Sequence, residues 1–170
     1  MTVSKSPYAV PLQGTEAHCV ITRRAFALPP EQLWRSLVFY EQIDAPAPLY
    51  LRLLLPAPIR SEGAKSVVGS VATCLYEGGH LLKRVTRIES SRLYEFTVIE
   101  QQLSIGAGLR LSGGSYALRP LAGGATEVAV TTQYSGGRRP RALWQPLEAM
   151  VCHLFHRHLL LAIGRKAIGA

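Results

Sequence analysis

The chain has 170 residues, 48% hydrophobic and 18% charged, which suits one globular domain with a full core. Its net charge is +8, but the basic residues are scattered and neither a basic helix nor an aromatic platform accompanies them, so no nucleic-acid partner is expected. No run reaches about 18 uncharged apolar residues, "MTVSKSPYAVPLQG" lacks a signal-peptide core, and three cysteines in apolar contexts suit reduced thiols, so the expectation is a cytoplasmic protein without a membrane span, a disulfide or a zinc site.

Residues 1–14 read as a flexible N-terminal arm, rich in Ser, Pro and Gly, and residues 15–170 as a single domain. "AHCVITRRAFA" (17–27) has the β-branched, mixed-polarity texture of a first strand. A helix follows at about 30–40: Pro30 suits its first turn, Glu31 its positive end, and Leu33, Trp34, Leu37 and Val38 form an apolar stripe. Prolines break "IDAPAPLYLRLLLPAP" into a short helix at roughly 47–54 and a loop, and "IRSEGAKSVVG" continues as a surface loop.

From residue 67 the texture changes to strand-like runs between turn signals: "VVGSVATCLYE", "HLLKRVTRIE", "LYEFTVIEQQ", "LRLSGGSYALRPL" and "TEVAVTTQYS". These are five strands in antiparallel meander order, with a bulge or sharp bend expected at Gly113-Gly114. Strand alternation puts Val128, Val130, Thr132 and Tyr134 on one face. It also puts Tyr94, Phe96 and Val98 on a face with Glu100. A carboxylate continuing an apolar face leaves two readings open, a rim residue in water or a pocket group.

"RPRALWQPLEAMVCHLFHRHLLLAIGRKAIG" reads as a long helix at about 141–167, with Pro146 disturbing its first turns and Gly164 weakening its last. At 100° per residue, Leu147, Val151, Leu154, His158, Leu161 and Ala162 gather in one sector, with Trp144 and Phe155 at its margin. His153 and His156 fall on the far side, so the three histidines cannot converge on one metal ion and no metal site is expected. This reading turns His158 inward and the other two outward. His158 then needs a partner: a strand group or backbone carbonyl in a structural role, or a ligand at a cavity wall.

The order strand, helix, short helix, five-stranded meander and long closing helix resembles the helix-grip fold. Segments "FALPPEQLWRSLVFYEQI", "GSVATCLYEGGHLLKRVTRIESSRLYEFTVIEQ" and "GGSYALRPLAGGATEVAVTTQY", with the closing helix, are similar to the START-like superfamily of polyketide cyclases/dehydrases and lipid-transport proteins (SRPBCC), over about residues 15–168. The resemblance implies an α+β fold. A curved antiparallel sheet of about six strands wraps the C-terminal helix, two short helices follow the first strand, and an apolar cavity lies between sheet and helix. It implies a hydrophobic ligand and no catalytic residue transferable by position; the sequence has no nucleophile elbow, phosphate loop or metal motif, and no cofactor is expected.

The function expected on these grounds is binding of a small hydrophobic molecule (a lipid, polyketide or aromatic metabolite). Tyr94, Phe96, Val98, Tyr116, Val130, Thr132, Val151, Leu154, Phe155 and Ala162 are the candidate walls. The alternative is a cyclase or dehydratase with His158, Glu100 and Tyr134 as acid/base or orienting groups. A third reading is an interaction module using the basic rim Arg138, Arg139 and Arg141. A homodimer through an exposed strand or helix face is compatible with all three.

Overall fold

The computed structural model describes residues 17–38, 49, 55–56, 58–105 and 108–169. The arm expected over 1–14 and, Leu49 apart, the short helix expected over 47–54 lie outside these residues. The elements are β1 (Ala17–Phe26), α1 (Pro30–Val38), β2 (Pro58–Gly63), β3 (Val71–Tyr76), β4 (Gly79–Glu89), β5 (Leu93–Gln102), β6 (Arg110–Pro120), β7 (Thr126–Ser135) and α2 (Arg141–Gly169). All seven strands form one sheet in the order β1-β7-β6-β5-β4-β3-β2, every neighbour antiparallel.

Strands β3 to β7 are the five-stranded meander read from the sequence. The seventh strand is a correction: residues 58–63, expected within a surface loop, pair with β3 as the sheet edge. "PIRSEG" carries no apolar alternation because an edge strand is held mainly by its backbone; Ile59 and Arg60 are both exposed.

Helix α1 forms as its caps and stripe dictate, with Leu33, Trp34 and Leu37 buried and Arg35 in water. Its stripe packs on Leu159, Leu160, Ile163 and Ala167 of α2 and on Leu118, Val128 and Val130 of the sheet. Two polar ties fix the angle. Gln32 Nε2 donates to the Ala167 carbonyl at 2.7 Å, and Thr126 Oγ1 donates to the Leu28 carbonyl at 2.8 Å. Gly164 has a packing reason: a Cβ there would lie 2.6 Å from Cε1 of Phe26, so the helix meets β1 at a residue without a side chain.

A second cluster joins Val20, Cys74, Leu81, Leu103, Ile105, Leu109 and Tyr134 at the other end of the sheet. Two register shifts shape the space between the clusters. One lies in β6 between Leu111 and Gly113, beside the expected bend. The other lies in β5, where Leu82 opposes Glu100 but the next residue, Lys83, opposes Val98. The extra residue is Ile99, and beyond it the in-and-out alternation of β5 slips by one.

Candidate functional site

Between the two clusters lies a cavity of about 400 Å³. Its walls come from β2 through β7 and from α2 together, so the sheet curves round it with the helix as one wall. The sheet side is built by Leu81, Phe96, Val98, Leu111, Tyr116 and Val130, and one end by Leu103, Ile105 and Leu109. The helix side is built by Trp144, Val151, Phe155 and Leu159, with Glu148 and Cys152. Trp144, Glu148, Val151, Phe155 and Leu159 share one face by the 100° rule, being four, seven, eleven and fifteen residues apart.

No family model and no curated protein matches the chain. Solved structures do. TTHA0849 from Thermus thermophilus aligns with a TM-score of 0.59 at 16% identity, over 89% of this chain and 98% of that one. Ara h 8.0201 aligns at 0.56 and 15%, over 91% of this chain and 100% of that one. The Zhui aromatase/cyclase from Streptomyces sp. R1128 aligns at 0.55 and 14%, over 91% and 93%. This is the helix-grip fold. At such identities the likeness is one of architecture alone.

Of the candidate walls, the helix-grip cavity collects Phe96, Val98, Tyr116, Val130, Thr132, Val151 and Phe155. Three others lie elsewhere. Tyr94 packs on the first core cluster and its hydroxyl donates to the Lys65 carbonyl at 3.0 Å; Ala162 packs on the same cluster; Leu154 is half-buried off the cavity.

The acid/base set is not brought together. Glu100 is exposed at the sheet rim, within 3.2 Å of His80 Nε2 and accepting from Gln102 Nε2 at 2.7 Å. The Ile99 bulge is why: it takes Glu100 off the face of Phe96 and Val98. Tyr134 is 1% exposed inside the second cluster, and its hydroxyl has no hydrogen-bond partner among the described residues. Burial pushes that hydroxyl up to about 12, helped by Cys152 and Glu148 and opposed by Arg141. His158 is half-buried off the cavity, with Nε2 likewise unpartnered among the described residues; burial, then Arg165, lowers its pKa.

For His156 the expectation is reversed. His156, expected to face water, is 0% exposed, and its ring is held at both nitrogens. Nδ1 lies 2.9 Å from Thr22 Oγ1 on β1, and Nε2 lies 2.7 Å from Thr132 Oγ1 on β7. His153 Nδ1 reaches the same Thr22 hydroxyl at 2.8 Å. Burial pushes His156 down to about 4, with His153 adding to the effect, so it is a neutral imidazole at physiological pH. Among the described residues, no three His, Cys, Asp or Glu side chains are placed to hold a metal ion.

The basic rim is partly consumed. Arg138 stacks on the Trp144 ring at 4.3 Å from its centroid, and Arg141 grips Glu148 with Nη1–Oε1 at 3.0 Å and Nη2–Oε2 at 2.7 Å. Glu148 is thus a buried carboxylate at the cavity, its charge paired with Arg141. The signal was available: residues seven apart share a helix face. Cys152, also at the cavity, is pushed up to about 11 by burial and by Glu148, so it is a thiol and not a nucleophilic thiolate. Among the described residues no helix is long and apolar enough to cross a membrane.

Proposed function

We propose that the chain binds a small hydrophobic molecule in the cavity between sheet and α2. The observation that carries this reading is the cavity: about 400 Å³, within the range of small-molecule sites, with walls mostly of aliphatic and aromatic side chains. The electrostatics support it. Of the charged groups at the lining, Glu148 is paired with Arg141, Arg60 with Glu62, and Lys83 stands over the Phe96 ring, while the Cys152 thiol is uncharged at neutral pH. A carrier or sensor of an aromatic, lipid-like or polyketide-like molecule fits such a wall. The cyclase alternative has less support, because Glu100, Tyr134 and His158 do not share the cavity. Three free cysteines suit a reducing, cytoplasmic setting.

Native mass spectrometry of the protein taken from its own host tests the reading. A small-molecule mass that stays with the folded chain and leaves on denaturation is expected. The bare chain alone, under all growth conditions tried, would count against it.

A further inference from the structure

Thr132 is where the cavity meets the His156 network. It lines the cavity, and its hydroxyl makes its side-chain hydrogen bond to His156 Nε2. Behind it runs a continuous chain: Thr132 Oγ1 to His156 Nε2 at 2.7 Å, His156 Nδ1 to Thr22 Oγ1 at 2.9 Å, and Thr22 Oγ1 to His153 Nδ1 at 2.8 Å. The sheet register builds it. Val20 opposes Thr132 and Thr22 opposes Val130, so the two threonines stand diagonally on neighbouring strands with the imidazole between them.

The chain has direction. A neutral imidazole carries one N–H, and each hydroxyl one hydrogen. If His156 holds its proton on Nδ1, it donates to Thr22, Thr22 donates to His153, and Thr132 donates to Nε2; Thr132 then shows the cavity a lone pair. If His156 holds its proton on Nε2, every bond reverses and Thr132 shows the cavity its O–H. Two other polar groups of the lining compete poorly: Glu148 has both oxygens on Arg141, and the Cys152 thiol is a weak donor.

We propose that Thr132 is the polar recognition point of the cavity. It takes the hydroxyl or carbonyl oxygen of an otherwise apolar ligand, and the His156–Thr22–His153 chain reverses to match whichever is present. This rests on the ligand-binding reading above. It narrows the ligand to an apolar ring or chain with an oxygen that reaches the β7 wall, and it makes His156 a positioning residue.

The test uses three probes of one shape: 2-methylnaphthalene, 2-naphthol and 2-acetylnaphthalene, measured by displacement of a fluorescent ligand. Both oxygenated probes should bind roughly five- to tenfold tighter than the hydrocarbon, the yield of one hydrogen bond. Thr132→Val should erase that preference, and Thr132→Ser should keep it. On the unaltered protein, ring ¹⁵N shifts of His156 should report Nδ1–H with 2-naphthol and Nε2–H with 2-acetylnaphthalene. Equal binding of all three probes, an unaltered preference in Thr132→Val, or one tautomer in both complexes would overturn the proposal and leave the cavity reading standing. Failure of every probe to bind would overturn both.

Discussion

Arg141 and Glu148 form a two-pronged ion pair two turns apart on α2, with the guanidinium 14% and the carboxylate 9% exposed. Gly136 closes over it: a Cβ there would stand 2.5 and 2.6 Å from the two Glu148 oxygens and against the Arg141 guanidinium. The pair therefore leaves no room for a methyl group at Gly136, and removing one partner leaves the other charge largely buried. Glu148→Gln should destabilise the fold by about 3 kcal/mol in denaturant unfolding. Gly136→Ala should also destabilise it, by pushing the pair apart. Loss of less than about 1 kcal/mol in Glu148→Gln would show that water reaches the site.

His156 makes stability depend on pH in a defined window. Its ordinary value is 6.5 and the fold holds it at about 4, so the folded state binds a proton more weakly than the unfolded chain. The stability it permits is complete above pH 6.5 and is lost as pH falls from 6.5 toward 4. Across that window the loss amounts to about 3 kcal/mol, at about 1.4 kcal/mol per pH unit. His158, lowered by burial and Arg165, acts in the same direction. The measurement is unfolding free energy at several pH values for the native chain and His156→Gln; the native chain should fall more steeply. Parallel curves would contradict the buried neutral imidazole.

The three thiols should react in order of exposure. Cys19 is exposed, Cys74 is 4% exposed, and Cys152 is held as a thiol near 11. Iodoacetamide at pH 8, followed by peptide mass mapping, should label Cys19 first, with Cys152 far behind. Rapid labelling of Cys152 would mean that the cavity wall opens readily.

Gly164→Ala separates helix propensity from packing. Propensity alone favours alanine in a helix interior by about 1 kcal/mol. The contact with Phe26 opposes it, since the added carbon would lie 2.6 Å from the ring. The net expectation is a loss of about 1 kcal/mol, read as a lower melting temperature. Phe26→Leu in the same background should recover part of it. A stabilised Gly164→Ala chain would show that β1 and α2 are further apart than the structure has them.

Most of the architecture was legible because it rests on local signals. Turn residues, glycines at three junctions and Ser90-Ser91-Arg92 at the fourth, separate β3 to β7, the Pro-Glu start and apolar stripe mark α1, and the closing apolar stretch marks α2. What failed was orientation. The run Leu159-Leu160-Leu161-Ala162-Ile163 is apolar on every side, so periodicity cannot say which sector faces the sheet. Leu143, Leu147, Met150 and Leu161 are in fact exposed, while Leu159, Leu160 and Ile163 are buried. That choice of sector put His156, about 160° round the helix from His158, in water, where the structure buries it. Glu100 lies at the rim, one of the two places its position allowed, for another local reason: one bulge residue, Ile99, reverses the alternation beyond it, and nothing in "TVIEQQ" announces it. Edge strand β2 was invisible because backbone pairing asks for no pattern of side chains.

The proposed occupancy of the cavity by a small apolar molecule is read by fluorescence titration. Titration with 1-aminoanthracene, a neutral fluorophore of suitable size, should give saturable one-to-one enhancement. Val151→Trp, which fills the wall between Trp144 and Phe155, should weaken it at least tenfold while the circular dichroism spectrum stays that of the native chain. Equal binding by the native and filled proteins, or no binding by the native one, would contradict the account.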